Sequence, residues 1–295
     1  IASGTETEVK GVLEWKNPSY VPKVSSRAAE WVFTPERDDE FETLTGMAAI
    51  TVLKATPITE APTVEPLVYN PETTLGSVDL KGGSAEWTVG GKEAAVEGEW
   101  SWKDASEVPS AGKSIYKIIF TPEDRENYNT AECDAEVSTA KAVPYIVTPP
   151  EAKGITYGDS LKDSLLEGGR ANYSETSEIS VPGSFSWKDG SVKPIAADSE
   201  KTEFDVVFTP ADGINYSQRE AKITLTVKKA EYPPNMPSSI MNVGEDKGNV
   251  DNVELPENWQ WEEEDKNKTL PYDTPTEAVA VYVGEDKENY ENITV

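Results

Sequence analysis

Carboxylates are the reactive side chains this sequence has in abundance: 54 Asp and Glu stand against 27 Lys and Arg, with no histidine. A chain without histidine cannot build a Ser-His-Asp triad, a Cys-His dyad or a His-ligated zinc site. Two chemistries stay open to carboxylates alone. A pair of them can cleave a glycosidic bond, and a cage of hard oxygens can hold calcium. Nothing in the sequence singles out a pair, and thin modules offer no obvious deep cleft. The loops Pro122-Glu-Asp-Arg-Glu-Asn127, Glu36-Arg-Asp-Asp-Glu40 and Gly284-Glu-Asp-Lys-Glu-Asn289 gather oxygens. None has EF-hand spacing, and each contains a basic residue. They read as solvated turns, as does the charge run Glu262-Glu-Glu-Asp265. No catalytic residue, metal ligand or cofactor is expected, and the reading is of a protein that is not an enzyme.

Aromatic residues are the second source of chemistry, since tryptophans can stack against sugars. Of the eight tryptophans, Trp15, Trp102, Trp187 and Trp261 recur at one sequence landmark, with Trp100 and Trp259 two residues before it. Periodic aromatics inside alternating strands belong to a core, and Trp31 reads the same way. Trp87 and Tyr173 align with each other outside this pattern. With Lys92, Glu93, Glu175 and Glu178 they form the candidate ligand-binding set.

What positions these residues is a repeat. Phe-Thr-Pro occurs at 33–35, 120–122 and 208–210, at offsets of 87 and 88. Lys-Ala at 54–55, 141–142 and 229–230 keeps the same offsets. Trp-Lys recurs at 15–16, 102–103 and 187–188, and Phe41, Tyr128 and Tyr216 follow each Phe-Thr-Pro. In a fourth, degenerate copy, Val283-Gly-Glu-Asp286 takes the place of Phe120-Thr-Pro-Glu-Asp124, and Asp286-Lys-Glu-Asn-Tyr290 closes it. The expected organisation is therefore half a module over 1–54, whole modules over 55–142 and 143–230, and a shortened module over 231–295. Both ends read as cut relative to the repeat.

Within a module the alternation is of period two, the mark of half-buried strands. Phe204, Val206 and Phe208 share one face. So do Ala221, Ile223, Leu225 and Val227, and Cys133, Ala135 and Val137 opposite Glu132, Asp134 and Glu136. Further strands are expected at 184–187, 143–147, 171–173 and 85–89. Pro182-Gly183, Asp189-Gly190 and Asp212-Gly213 mark turns. Only residues 159–166 predict a helix, with Asp159 or Ser160 as N-cap. The tyrosine after each acidic loop is expected to pack on the core and bond its hydroxyl to backbone, as in a tyrosine corner. The class expected is all-β: tandem small β-sandwich modules of immunoglobulin type with at most one short helix each, with a β-grasp arrangement as competitor. Short proline-bearing connectors predict an elongated rod.

The net charge of −27 disfavours nucleic acid, which needs clustered Lys and Arg. No stretch approaches the roughly 20 apolar residues of a membrane span. A signal peptide and sorting tail are absent, which means little for a piece of a longer chain. The single cysteine, Cys133, leaves no intrachain disulfide. The lysines fall mostly on outward strand positions, which disfavours internal Lys–Asn cross-links.

The third copy, from Gly154-Ile-Thr-Tyr-Gly158 through Pro182-Gly-Ser-Phe-Ser-Trp-Lys188 to Phe208-Thr-Pro, Asn215-Tyr216 and Val227-Lys-Lys-Ala230, resembles the Ig-like/MBG-type repeats of Gram-positive gut bacterial surface proteins. The second copy resembles them too, and the outer two match in part. The resemblance implies a monomeric segment of a secreted, wall-attached adhesin, acting as stalk and ligand display toward a host protein or mucosal glycan. The alternatives are a specific host-protein-binding module, for example for immunoglobulin, and more remotely a carbohydrate-active enzyme accessory domain. The pattern departs from the family at extra residues 86–96 and 173–180, where loops commonly acquire specific contacts.

Overall fold

The structure is a computed structural model that describes residues 8–89, 91–196, 202–244 and 247–295. It divides into two compact units, Ile1–Lys141 and Ala142–Val295. Both are all-β, with short 3-10 turns, and no α-helix occurs among the described residues.

The first unit begins with an antiparallel meander of β1 (Gly11–Trp15), β2 (Ala28–Pro35) and β3 (Leu44–Ala49). β4 (Ile58–Glu60), β5 (Leu67–Val68), β6 (Ser84–Val89), β7 (Lys92–Ala95), β8 (Gly98–Trp102), β9 (Gly112–Pro122) and β10 (Ala131–Ala140) follow. They make a sheet of order β5-β10-β9-β8 and a second of order β4-β6-β7. The β5–β10 pairing is parallel and the β8–β9–β10 pairings antiparallel. Ala85, Val96, Phe120 and Ala131 pack between the two sheets as a small sandwich core. A second cluster joins Leu75, Trp102, Ile118, Ala135 and Val137. Burying each of the larger side chains, such as Leu75, Ile118, Val137 and Phe120, contributes about 1.5–3 kcal/mol by taking it out of water. β10 alternates as its sequence requires: Ala131, Ala135, Val137 and Thr139 are buried, while Glu132, Asp134 and Glu136 face out.

The second unit holds β11 (Tyr145–Thr148), β12 (Glu151–Ala152), β13 (Ile155–Thr156), β14 (Leu166–Glu167), β15 (Arg170–Asn172), β16 (Gly183–Trp187), β17 (Thr202–Pro210), β18 (Arg219–Leu225), β19 (Val227–Lys228), β20 (Trp259–Trp261) and β21 (Ala280–Tyr282). Its main sheet is β16-β17-β18, and β13 pairs parallel to β19.

Residues 159–166 do not form the expected helix. Leu161–Asp163 make a 3-10 turn, and β14 starts at Leu166. The Leu161 and Lys162 amides are taken by the Val192 and Gly190 carbonyls, and the Ser160–Asp163 capping box closes the turn on itself. The Ser164 amide bonds the Leu161 carbonyl three residues back, the Leu165 carbonyl accepts the Lys153 amide and Leu166 pairs with Ala152, so the groups that would propagate an α-helix are taken by a 3-10 turn and a strand. Leu75–Ser77 and Val250–Asn252 are counterpart turns, and each buries its first residue. A tryptophan indole then donates to the carbonyl of the residue that caps each turn's C-terminal end. Trp102 reaches Val78 at 2.9 Å, Trp187 reaches Ser164 at 3.0 Å and Trp261 reaches Val253 at 2.9 Å. Trp102, Trp187 and Trp261 are thus packed on the core with one satisfied polar atom, whereas Trp15, expected to be core as well, is 50% exposed because no described residue of its copy stands where Leu75 and Val78 cover Trp102.

The Phe-Thr-Pro landmark also has a packing cause. A Cβ at Gly98 would lie 2.5 Å from the Thr121 carbonyl oxygen and 2.6 Å from the Phe120 ring. Gly183 stands in the same relation to Thr209 and Phe208. Only glycine lets the ring lie against the neighbouring strand. In the fourth copy this ring is Tyr282, not the neighbourhood of Val283 that residue counting indicates. Tyr282 pairs with Trp259 as Phe120 pairs with Trp100. A slip of one residue would turn the ring to the other face, so strand register, not counting, fixes the equivalence.

Candidate functional site

The inserted residues of the second copy build an antiparallel hairpin. Trp87 pairs with Ala94, Thr88 with Glu93 and Val89 with Lys92. Side chains alternate across a strand, so Lys92 shares the face of Trp87 and Glu93 lies on the reverse face. Trp87 continues the face that buries Ala85 and retains 36% of its exposure. β7 is the outer strand of its sheet, and all four of its residues are exposed.

The corresponding residues of the third copy form no second strand, only an antiparallel bridge of Asn172 with Ser180. After β15 the chain turns back directly, with the Tyr173 amide donating to the Ile179 carbonyl at 2.9 Å. The buried Asn172 amide nitrogen holds the Ser177 carbonyl at 2.6 Å, and the Ser177 hydroxyl accepts the Ile179 amide. Glu175 and Glu178 are exposed on this turn and Tyr173 is half-buried. The six candidate residues therefore fall into two groups of different geometry, one in each unit.

Trp87 lines a shallow cleft of about 370 Å³ with Val24, Leu53, Ala55, Asp124 and Asn127, where the first copy meets the second. Two other hollows have a simpler origin. One of about 590 Å³ exposes Trp15, whose counterpart Trp102 is covered by Leu75 and Val78. The other, about 350 Å³ beside Val250, Trp261 and Ala280, lies where Ala135 and Val137 fill the core of the second copy. Both are places where a copy lacks core counterparts within residues 1–295.

The acidic loops are internally bonded. The Asp124 carboxylate accepts the amides of Glu126 at 3.2 Å and Asn127 at 3.1 Å, and the Asn127 side-chain nitrogen at 2.7 Å. The Asn127 bonds are the main reason its carboxyl sits below the usual range. Among the described residues no group of three or more acidic or thiol side chains is placed to hold a metal ion. Asp265 is buried, contrary to the solvated reading of its charge run. It accepts the Val279 amide at 2.7 Å and pairs with Lys268 at 2.7 Å, and Lys268 chiefly holds its carboxyl low.

The fourth copy's loop collects tyrosines. Asp286 accepts hydroxyls from Tyr157 at 3.1 Å, Tyr282 at 2.8 Å and Tyr290 at 3.1 Å. The Tyr290 hydroxyl therefore goes to a carboxylate, not to backbone as a tyrosine corner would send it. Burial pushes the Asp286 carboxyl up, but the three hydroxyls outweigh it and hold it low. Burial and then Asp286 raise all three phenols, Tyr290 most. No spacing signal foretold this cluster, because Tyr157 lies 129 residues from Asp286.

No family model and no curated protein matches the chain. Among solved structures it is similar to one described as Sidekick-1 immunoglobulin domains 1-5, at 15% identity and a TM-score of 0.25, over 72% of this chain and 50% of that one. A likeness this loose carries no argument, and the all-β class rests on the chain's own sheets. No helix among the described residues is long and apolar enough to cross a membrane.

Proposed function

We propose that the chain is a non-catalytic segment of a bacterial cell-surface adhesin, a stalk that displays sites for a host ligand. The modules run over 1–54, 55–142, 143–230 and 231–295, on the wall surface of a Gram-positive bacterium. One observation carries the reading: the repeated landmarks are spent on core, turns and connectors, as the three indole-to-turn bonds illustrate. What differs between copies is the Trp87 hairpin and the Tyr173 turn, and recognition belongs there. Trp87 offers a half-exposed ring beside Lys92, suited to a sugar face or an apolar side chain. Immobilised full chain, offered mucin glycans and polyclonal immunoglobulin separately, is expected to retain one of them. Retention of neither would overturn the display role, and turnover of a glycan panel would overturn its non-catalytic character.

A second reading is favoured by β7, the exposed outer strand of its sheet. A free edge can accept a strand from a partner through main-chain bonds. Immunoglobulin retention lost on placing proline at Ala94, with glycan binding absent throughout, is the outcome that selects it.

A further inference from the structure

The connector between copies and the acidic loop of the copy that follows are bonded together. Ala55, the alanine of the first Lys-Ala, donates to the Asn127 carbonyl at 2.9 Å and accepts the Asn129 amide at 2.7 Å. Ala142 stands likewise between Asn215 and Ser217, both at 2.9 Å. Ala230 donates to Asn289 at 2.9 Å and accepts from Glu291 at 2.8 Å. In each case the alanine forms a parallel bridge with the tyrosine of Asn-Tyr: Tyr128, Tyr216 and Tyr290.

The same asparagine makes a second hold, through its side chain. Asn127 Oδ1 accepts the Val24 amide of the first copy at 2.9 Å. Asn289 Oδ1 accepts the Ala196 amide of the third copy at 2.8 Å. Val24 and Ala196 lie nine residues after Trp15 and Trp187, so they are one and the same position of the repeat. Each loop also fixes which way its amide points. Asn127 Nδ2 is taken by the Asp124 carboxylate at 2.7 Å and Asn289 Nδ2 by the Asp286 carbonyl at 3.0 Å. That leaves Oδ1 for the preceding copy. Alanine would have no acceptor, and aspartate would set a second carboxylate against Asp124.

We propose that the Asp-x-x-Asn-Tyr loop is an interaction surface for the preceding copy within a unit, a two-point clamp that fixes the angle of the first copy to the second and of the third to the fourth. The asparagine main chain holds the connector alanine, and its Oδ1 holds the body of the preceding copy. Two holds on one rigid loop remove the swivel that a single short connector would leave. Asn127 and Asn289 are positioning residues, and the proposal stands whatever ligand the stalk displays.

Amide hydrogen exchange on the full chain, read residue by residue by NMR, tests it. Val24 and Ala196 amides are expected to be protected, and Asn127→Ala to speed exchange at Val24 at least tenfold while leaving Ala196 and the core amide of Ile118 unchanged. Asn289→Ala should do the converse. Residual dipolar couplings from copies three and four should fit one alignment tensor in the parent and two in Asn289→Ala. Unprotected Val24 and Ala196 amides in the parent chain would overturn the proposal, even if a variant failed to fold. So would protection or a single tensor that survives the alanine substitutions.

Discussion

The two joints described, between the first and second copies and between the third and fourth, share a backbone clamp and an asparagine but differ in what surrounds them. Beside Asn127 the cleft stays open and is lined by Trp87 from the inserted hairpin. Beside Asn289 Tyr157 reaches the Asp286 carboxylate, and its ring meets Tyr290 edge-on at 5.4 Å. The shared part holds copies together. The parts that differ are where individual chemistry enters: an exposed aromatic at one joint and a titratable cluster at the other.

The largest expected effect sharpens the contrast between complete and incomplete copies. Trp102→Ala removes a buried ring and its indole bond, and should cost about 3–5 kcal/mol in urea unfolding. Trp15→Ala, at a site 50% exposed, should cost about 1 kcal/mol or less. Equal losses would mean that Trp15 is as well packed as Trp102. Next, Asp286→Ala deprives three tyrosine hydroxyls of one charged acceptor. About 2 kcal/mol should be lost from the second unit, with the first unit's unfolding unchanged.

The titration of the cluster separates the joints by pH. The raised phenols contribute stability that is fully present below the ordinary tyrosine value of about 10 and is lost as pH rises toward their folded values. The lowered Asp286 carboxyl contributes stability present above about 4 and lost as pH falls through its folded value. Phenolate absorbance should therefore show Tyr157, Tyr282 and Tyr290 ionising last, and above pH 10 the second unit should lose stability before the first. Simultaneous loss in both units would break the comparison. The smallest effect is Trp87→Ala, which should change the melting of the first unit by less than about 1 kcal/mol.

Much of this was legible in the sequence because strands advertise themselves locally. Period-two alternation places β10, β17 and β18 and their inward faces, and the core reading holds for Trp102, Trp187 and Trp261 but not for the half-exposed Trp15. The helix expected over 159–166 does not form because Leu165 and Leu166 bond to the strand segment at 151–153, a tertiary competition invisible to local pattern. The two stretches, 86–96 and 173–180, carry aligned aromatics. Yet one has Gly91 at positive φ, which lets a two-stranded hairpin form, and the other closes on Asn172 and Ser177 within a few residues. Lys-Ala and Asn-Tyr were both seen to repeat, but each was assigned to its own place. That they bond to each other across 59 to 73 residues is a property of the fold.

The central claim is that shared features build the array and that recognition resides where copies depart from it. Its most direct test is retention of mucin glycans and immunoglobulin by the full chain carrying Trp87→Ala or Tyr173→Ala, measured alongside thermal melting. The account predicts that retention falls at least tenfold for one of these variants with melting essentially unchanged. Full retention by both would contradict it.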